Sequence, residues 1–194
     1  MNDIKVSVIV PLYNYANYIE DCIESFLNQD FPDSEMIIVD DASTDDPWKI
    51  VSQYINETGK VRYIWHAKNL NYSNAKNTAI RVARGEYIVP LDADDLLTGD
   101  SLKFRFNQIV ETKADLLHCP CLRYQPGCTY VRDPMWDKWL ATKDAKWIHA
   151  QGVIYRKDIH KKIGLYDPKL WASADREMFY RIADAGFKIK SYGR

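Results

Sequence analysis

Short apolar runs that alternate with helix-like segments constrain the fold of this chain more than any other feature. The runs that we predict as buried strands are residues 6–10, 35–39, 61–65 and 86–91. The segments between them that have helical spacing are residues 17–29, which Asn17 can cap, residues 47–58, which end at Gly59, and residues 73–83. Strands that alternate with helices favour right-handed crossovers and a mostly parallel sheet. The sequence therefore predicts an α/β fold.

Three of the predicted strands end on polar residues. These ends are Pro11-Leu12-Tyr13-Asn14, Asp40-Asp41-Ala42-Ser43 and Asp92-Ala93-Asp94-Asp95. In open parallel sheets, ligands bind beyond the carboxyl ends of the strands. Because three such ends converge at one edge, we expect a binding site there.

The acidic cluster at the end of the fourth strand has two interpretations. Buried carboxylates are costly when nothing neutralises them, and a hard divalent cation prefers such oxygen ligands. Alternatively, Asp92, Asp94 and Asp95 cap the turn or helix that follows. The motif alone leaves both interpretations open.

Composition excludes some classes of function and disfavours others. The formal net charge of −1 gives no basic field that would attract nucleic acid or an anionic membrane. We find no signal-peptide pattern at residues 1–5 and no apolar run near the roughly 20 residues of a membrane span. The four cysteines are too unevenly spread for a disulfide framework, and Cys119-Pro120-Cys121 lacks the usual spacing of a zinc hairpin. We expect a cytoplasmic protein, which is compatible with peripheral attachment to the cytoplasmic face of a membrane.

The second half of the chain has a different pattern. We predict helices at residues 102–110, 159–163 and 173–185, and strands at residues 114–119 and 187–191. Residues 120–150 appear irregular and aromatic, which suggests a substrate-facing segment. Aromatic faces suit sugar rings, so the tryptophans either form an acceptor platform or pack in the core; they are Trp136, Trp139, Trp147 and Trp171. His149 and Gln151 either contact a substrate or serve the structure.

The strand ends are chemically suited to a nucleotide-sugar donor. Asp41 can accept hydrogen bonds from a uracil imide or from ribose hydroxyls, and we expect its removal to spare the fold because a strand end lies outside the core. Asp92 and Asp94 point the same way at positions i and i+2. Asp94 can hold Mn²⁺ or Mg²⁺ against both phosphates, with assistance from Lys76.

Together these motifs resemble those of family 2 glycosyltransferases of the GT-A fold. The matching segments are residues 8–14, 37–43, 74–77, 85–95, 164–167 and 174–177, in the family's order and spacing. The resemblance covers nearly the whole chain, and the motifs are highly specific when taken jointly. It implies an inverting transfer by direct displacement at the anomeric carbon.

The resemblance also implies roles for individual residues. Donor-binding positions are Pro11, Tyr13, Asn14, Asp41, Lys76, Asp92 and Ala93, and the metal positions are Asp94 and Asp92. Asp175 matches the catalytic base, although its alternative is a first-turn residue that only favours the helix dipole. Ala174 stands where many members have Glu, and Lys76 stands where they often have Arg, whose bidentate fork Lys lacks.

The resulting prediction is one GT-A catalytic domain over residues 1–194. Residues 1–97 would form the nucleotide-sugar half and residues 98–194 the acceptor half. The sequence is also compatible with a fragment of a longer protein. The expected partners are a UDP-sugar donor and a glycan or other hydroxyl acceptor. Two alternatives are an inactive nucleotide-sugar-binding module and a sugar-phosphate nucleotidyltransferase. The latter is disfavoured because residues 11–14 are not the basic, Gly-rich loop it needs.

Overall fold

The computed structural model describes residues 3–125, 128–132 and 150–192. Among these residues, seven strands form one sheet in the order β3-β2-β1-β4-β8-β5-β9, and β6 pairs with β7 in a separate ribbon. The strands are β1 (Val6–Leu12), β2 (Ser34–Asp40), β3 (Val61–Trp65), β4 (Tyr87–Pro90), β5 (Leu116–His118), β6 (Cys121–Gln125), β7 (Cys128–Arg132), β8 (Val153–Arg156) and β9 (Ile189–Ser191). The helices are α1 (Ala16–Leu27), α2 (Trp48–Thr58), α3 (Tyr72–Val82), α4 (Ser101–Thr112), α5 (His160–Ile163) and α6 (Ala174–Asp184), with a 3₁₀ turn at Lys157–Ile159.

The sheet is covered on both faces, which explains why its central strands are apolar without alternation. In β1, Val8 and Val10 pack in one core layer with residues of α1, whereas Ile9 packs in the other with residues of α3 and α6. Strands that are buried on both faces have continuous apolar sequences, without alternating polar residues. All seven residues of β1 and all seven of β2 are buried accordingly.

The predicted α/β class with a mostly parallel sheet is confirmed. β3, β2, β1 and β4 are mutually parallel, and β9 is parallel to β5. β8 is the exception, because it pairs antiparallel with both β4 and β5. The sequence analysis missed β8 because four residues after an irregular segment carry little local signal.

Two further expectations need correction. The first part of the segment predicted to be irregular contains the antiparallel ribbon of β6 and β7. Asn17 does not cap α1, which begins at Ala16. The Ala16 N–H instead donates to Asp45 Oδ2 at 2.8 Å, so the cap comes from the loop after β2. A cap from a distant loop leaves no trace in the local sequence.

The amino ends of the strands are fixed by a buried charge. Glu35 at the start of β2 has no exposed side-chain surface and lies within 2.8 Å of Ser7 Oγ, 3.0 Å of Arg62 and 2.8 Å of Arg84. Burial alone would raise the pKa of Glu35, but hydrogen bonds from Arg84, Ser7 and Arg62 outweigh it and lower that pKa. This network lies at the end of the sheet opposite the polar strand ends, so we assign it to stability.

No helix in the described ranges is long and apolar enough to cross a membrane.

Candidate active site

The loops after β1 and β2 are joined at the carboxyl edge of the sheet. The Asn14 N–H donates to Ser43 Oγ at 3.0 Å, and Asn14 Oδ1 accepts from the Thr44 N–H at 2.8 Å. Pro11 is buried at the end of β1, while Tyr13 beside Asn14 is 45% exposed. The ring of Tyr13 is thus available to a ligand, whereas Pro11 shapes the floor.

Asp41 lies deeper than its sequence position suggests. It is buried, and its carboxylate accepts from the N–H groups of Leu70 at 2.9 Å and Asn71 at 2.7 Å. His66 Nδ1 lies 2.7 Å from Asp41 Oδ1. The expectation that Asp41 stands outside the core is therefore wrong, because its oxygens hold the loop before α3. Its contact with a base or ribose stays a prediction.

An open pocket at the ends of β2 and β3 was missed by the sequence analysis. It is lined by Asp40, Ser43, Asp46, Pro47, Trp48, Tyr63 and Trp65. Asp40 accepts hydrogen bonds from the Tyr63 hydroxyl and from the Ser43 N–H, and Trp65 is 62% exposed at the rim. The signal that would have revealed this pocket is the aromatic pair of Tyr63 and Trp65 on one face of a short edge strand.

The acidic loop after β4 does not cap the next helix. α4 begins only at Ser101, after Asp100, and the Asp95 N–H closes a turn on the Asp92 carbonyl at 3.0 Å. Asp92 Oδ1 accepts from the Tyr72 hydroxyl at 2.8 Å and Oδ2 from Gln151 Nε2 at 3.2 Å. Ala93, the next residue along the chain, is buried, while the Asp94 side chain is exposed to solvent.

Negative charge accumulates in this loop above an apolar floor. Burial, with the charges of Asp92 and Asp94, raises the pKa of Asp95 to about 6. Beneath the loop, burial and the same carboxylates raise the pKa of the Cys22 thiol to about 12. The Cys22 thiol contacts the Asp92 carbonyl at 3.8 Å. Such a potential favours any cation that reaches the loop.

The residues present fit a divalent cation of the Mg²⁺ or Mn²⁺ type. Asp92 and Asp94 offer hard oxygen ligands, and Asp94 is accessible. Across the described residues, no three His, Cys, Asp or Glu side chains are gathered as a preformed metal site. Mg²⁺ is commonly held by one or two carboxylates that are completed by substrate phosphates. A site that a bound donor completes agrees with this geometry.

Asp95 should leave a pH signature in the stability of the protein. Because its folded pKa of about 6 exceeds the ordinary value, the folded state retains the proton between about pH 4 and 6 and loses stability as the pH rises through that window. Asp95→Asn cannot titrate, so the free energy of unfolding of this variant relative to wild type should rise between pH 4 and 6. Urea denaturation at both pH values measures it, and parallel pH dependences would contradict the assignment.

Asp175 occupies the first turn of α6 and faces the same edge. Its Oδ1 lies 2.7 Å from Lys76 Nζ and accepts from the Tyr166 hydroxyl at 2.9 Å, and its Oδ2 lies 3.3 Å from the Tyr72 hydroxyl. The side chain keeps 18% exposure. These partners show that Asp175 does more than favour the helix dipole, and its role as the catalytic base stays a prediction.

Lys76 was predicted to contact the donor, but in the structure it pairs with Asp175. Its side chain has no exposed surface, its ammonium pairs with Asp175, and it lies 4.2 Å from the ring centroid of Tyr72 and 5.1 Å from that of Tyr166. In this arrangement Lys76 neutralises Asp175 and does not meet an open surface. A direct contact of Lys76 with the donor stays a prediction.

Other residues around the site were missed or lie elsewhere. Tyr72 and Tyr166 contact Asp175, and only the tertiary structure reveals this, because they come from different elements. Trp171 is 71% exposed, which excludes core packing for that residue. Trp136, Trp139, Trp147 and His149 lie outside the described residues.

Comparison with known proteins agrees with this architecture. Residues 7–164 match the family model described as glycosyl transferase family 2. This chain belongs to that family. The resemblance inferred from the strand-end motifs is thereby confirmed.

Relatives of known sequence share part of their length with this family 2 chain. Chondroitin synthase of Escherichia coli is 44% identical over 98 residues, which are 50% of this chain and 14% of that protein. Glycosyltransferase GlyG of Streptococcus pneumoniae is 35% identical over 112 residues, or 58% of this chain and 37% of the relative. The chain thus spans well under half the length of these two relatives.

Solved structures confirm the expected GT-A architecture. The crystal structure of S. aureus TarS 1-349 in complex with UDP superposes with a TM-score of 0.81 at 28% identity, over 96% of this chain and 57% of that chain. A mannosyltransferase from Pyrobaculum calidifontis in complex with GDP-Man and Mn²⁺ superposes with a TM-score of 0.76 at 23% identity, over 96% of this chain and 54% of that chain. The second likeness bears on the fold alone.

Proposed function

We propose that this chain is the catalytic domain of an inverting glycosyltransferase. It would move a sugar from a UDP-linked donor to a hydroxyl of a glycan or other acceptor, with a divalent cation at the donor. The observation that carries the proposal is the meeting of two carboxylate sites, the acidic loop and Asp175, at one edge of the sheet. A transferase that works by direct displacement needs a site for the leaving group and a base for the acceptor.

Known relatives support the donor class. TarS is crystallised with UDP and with UDP-GlcNAc, and other relatives are named chondroitin synthase and poly(ribitol-phosphate) beta-glucosyltransferase. The exposed Tyr13 ring offers a face for a nucleobase, beside loops that Asn14 and Ser43 hold together. A sugar-phosphate nucleotidyltransferase is disfavoured by the family match.

In the proposed reaction, the acceptor hydroxyl binds next to Asp175. The carboxylate takes the hydroxyl proton as the oxygen attacks the anomeric carbon. Lys76 and Tyr166 both engage Oδ1, so that oxygen is occupied and Oδ2 is the better placed to receive the proton. Attack on the face opposite the leaving diphosphate inverts the anomeric configuration.

Asp92 and Asp94 act on the donor side of the proposed reaction. These two carboxylates would hold Mn²⁺ or Mg²⁺, which supplies Lewis-acid stabilisation to the departing diphosphate. Gln151 and the Tyr72 hydroxyl orient Asp92, whereas Asp94 projects into solvent. Asp94 is therefore the residue that meets the cation most directly.

Titration calorimetry with UDP tests the cation requirement. We expect UDP to bind wild type at least roughly tenfold more tightly with Mn²⁺ than with EDTA, since phosphate oxygens complete a site that lacks ligands of its own. Asp94→Asn should lose this dependence. Asp30→Asn is the control, because the Asp30 carboxylate is exposed and pairs with exposed Lys103. Equal UDP affinity in Mn²⁺ and EDTA would remove the metal role.

Turnover separates an enzyme from a binding module. With Mn²⁺ and an acceptor, wild type should release UDP from the UDP-sugar whose binding raises its melting temperature most. A panel of UDP- and GDP-sugars selects that donor. Tight donor binding without transfer to any glycan acceptor would favour the inactive module.

A further inference from the structure

We propose that Tyr72 is a positioning residue that couples the cation site at Asp92 to the base Asp175. The inference rests on the proposed function and adds a residue that links its two halves. A single hydroxyl lies 2.8 Å from Asp92 Oδ1 and 3.3 Å from Asp175 Oδ2. Tyr72 thereby touches both the leaving-group side and the acceptor side of the proposed reaction.

The position of Tyr72 is fixed by the residue before it. Asn71 adopts a φ of 81°, and its side chain accepts from the Asn74 N–H at 3.1 Å and so caps α3. The backbone N–H of Asn71 donates to Asp41 Oδ2 at 2.7 Å, and the side-chain Nδ2 of Asn71 donates to the Pro168 carbonyl at 2.8 Å. Because Asn71 is held on three sides, the first residue of α3 projects between the two carboxylates.

The ring of Tyr72 is held as firmly as its backbone. Lys76, one turn along α3, places its ammonium 4.2 Å from the ring centroid while it pairs with Asp175. A tyrosine hydroxyl keeps its proton at neutral pH, because its ordinary pKa is about 10. Tyr72 is thus a fixed hydrogen-bond donor between two acceptors.

One proton cannot serve two acceptors equally at the same time. A tyrosine hydroxyl carries one hydrogen, and the shorter distance assigns it to Asp92 in this structure. When Asp92 gives its oxygen to a cation, the hydroxyl is free to turn its proton to one lone pair of Asp175 Oδ2, while the other lone pair stays open to the acceptor hydroxyl. Occupancy of the donor side then changes the hydrogen bonding of the base, and by reciprocity the base changes cation affinity.

Two tyrosine variants isolate the coupling. Tyr72→Phe removes the shared hydroxyl but keeps the ring that contacts Lys76. Tyr166→Phe is the matched control. The Tyr166 hydroxyl contacts Asp175 Oδ1, whereas the Tyr72 hydroxyl contacts Oδ2 of the same carboxylate. Both variants remove one hydroxyl donor from Asp175, but only Tyr72→Phe removes one from Asp92.

The decisive measurement is Mn²⁺ affinity without nucleotide, from the electron paramagnetic resonance of free Mn²⁺. Tyr72→Phe should weaken it by about tenfold or more, the usual scale for losing a hydrogen bond to a metal ligand. Tyr166→Phe should bind Mn²⁺ as wild type does. At saturating Mn²⁺, both variants should lower kcat with little change in donor KM.

The outcomes separate this inference from the proposed function. Wild type that binds Mn²⁺ and transfers sugar, with unchanged Mn²⁺ affinity in Tyr72→Phe, overturns the coupling and leaves the proposed function standing. If wild type binds Mn²⁺ only with UDP, the same comparison is made at saturating UDP. Wild type that binds Mn²⁺ neither alone nor with UDP defeats the proposed metal role and the coupling with it. Equal losses of Mn²⁺ affinity in both variants also overturn the inference, since they show a general disturbance.

A second measurement tests the coupling if the Tyr72→Phe variant does not fold. In wild type carrying ¹³C-labelled tyrosine, one ring signal should respond both to added Mg²⁺ and to the Asp175→Asn substitution. A tyrosine spectrum in which the two changes affect separate signals would overturn the coupling.

Discussion

Asp175→Asn is expected to lower the rate of sugar transfer by at least roughly 10²-fold, the usual scale of general base catalysis. The amide keeps the size of the side chain and can still accept from the Tyr166 hydroxyl, but it cannot take a proton from the acceptor. At saturating Mn²⁺ donor affinity should change little, because Asp92 and Asp94, which would hold the cation, lie on a different loop. Transfer rate and UDP affinity measured on one preparation test this prediction.

Glu177→Gln provides the matched control. Glu177 lies two residues along the same helix, and its carboxylate pairs with Arg181 at 2.6 Å. That pair is bidentate, at 2.6 and 2.7 Å, and Gln keeps an oxygen that can accept from Arg181, so the variant should fold and transfer sugar normally. If Glu177→Gln loses activity while Asp175→Asn retains it, the base is Glu177. Loss of donor binding in Asp175→Asn would instead show that the substitution disturbed the donor pocket.

The parallel half of the sheet was predictable from sequence because its signals are local. β3 is observed at the predicted residues, and Gly59 ends α2 in the left-handed conformation with φ of 63°. β1 extends two residues further than predicted, through Pro11 to Leu12. Pro11 is tolerated there because the ladder with β4 ends at Ile9, so no partner on that side needs its missing N–H.

The contacts that build the candidate site could not be predicted from sequence, because they join residues that are far apart along the chain. The sequence analysis selected Asp92 and Asp175 from motifs, yet it did not show that Tyr72 lies between them, since the Tyr72–Asp175 contact spans 103 residues of chain. Lys76 was expected at the donor because a cation beside phosphates is the simplest interpretation. Its burial against Asp175 depends on how α3 packs against α6, which no local pattern encodes.

Asp41→Ala is expected to destabilise the fold by roughly 3 kcal/mol or more. The substitution removes the hydrogen bonds that Asp41 accepts from the N–H groups of Leu70 and Asn71, and a hydrogen bond to a charged group contributes about 1.5–3 kcal/mol. The Asn71 N–H keeps Asn69 Oδ1 as an acceptor at 3.1 Å. His66 loses its partner as well. In a chain of this size, each kcal/mol lowers the melting temperature by about 2–4 °C. Urea denaturation and thermal melting measure the loss.

Asp30→Ala is the control for the Asp41 variant, because its ion pair with Lys103 is exposed and screened by solvent, so its loss should leave the melting temperature unchanged. The two interpretations of Asp41 make opposite predictions. If Asp41 serves the loop, the variant melts early, and sugar transfer falls in the molecules that remain folded, since Asn71 no longer fixes Tyr72 between Asp92 and Asp175. If Asp41 instead binds the nucleotide directly, the variant should be as stable as wild type and lose UDP affinity. A stable variant with weak UDP binding would therefore return Asp41 to the donor site and show that the loop before α3 is held by other contacts.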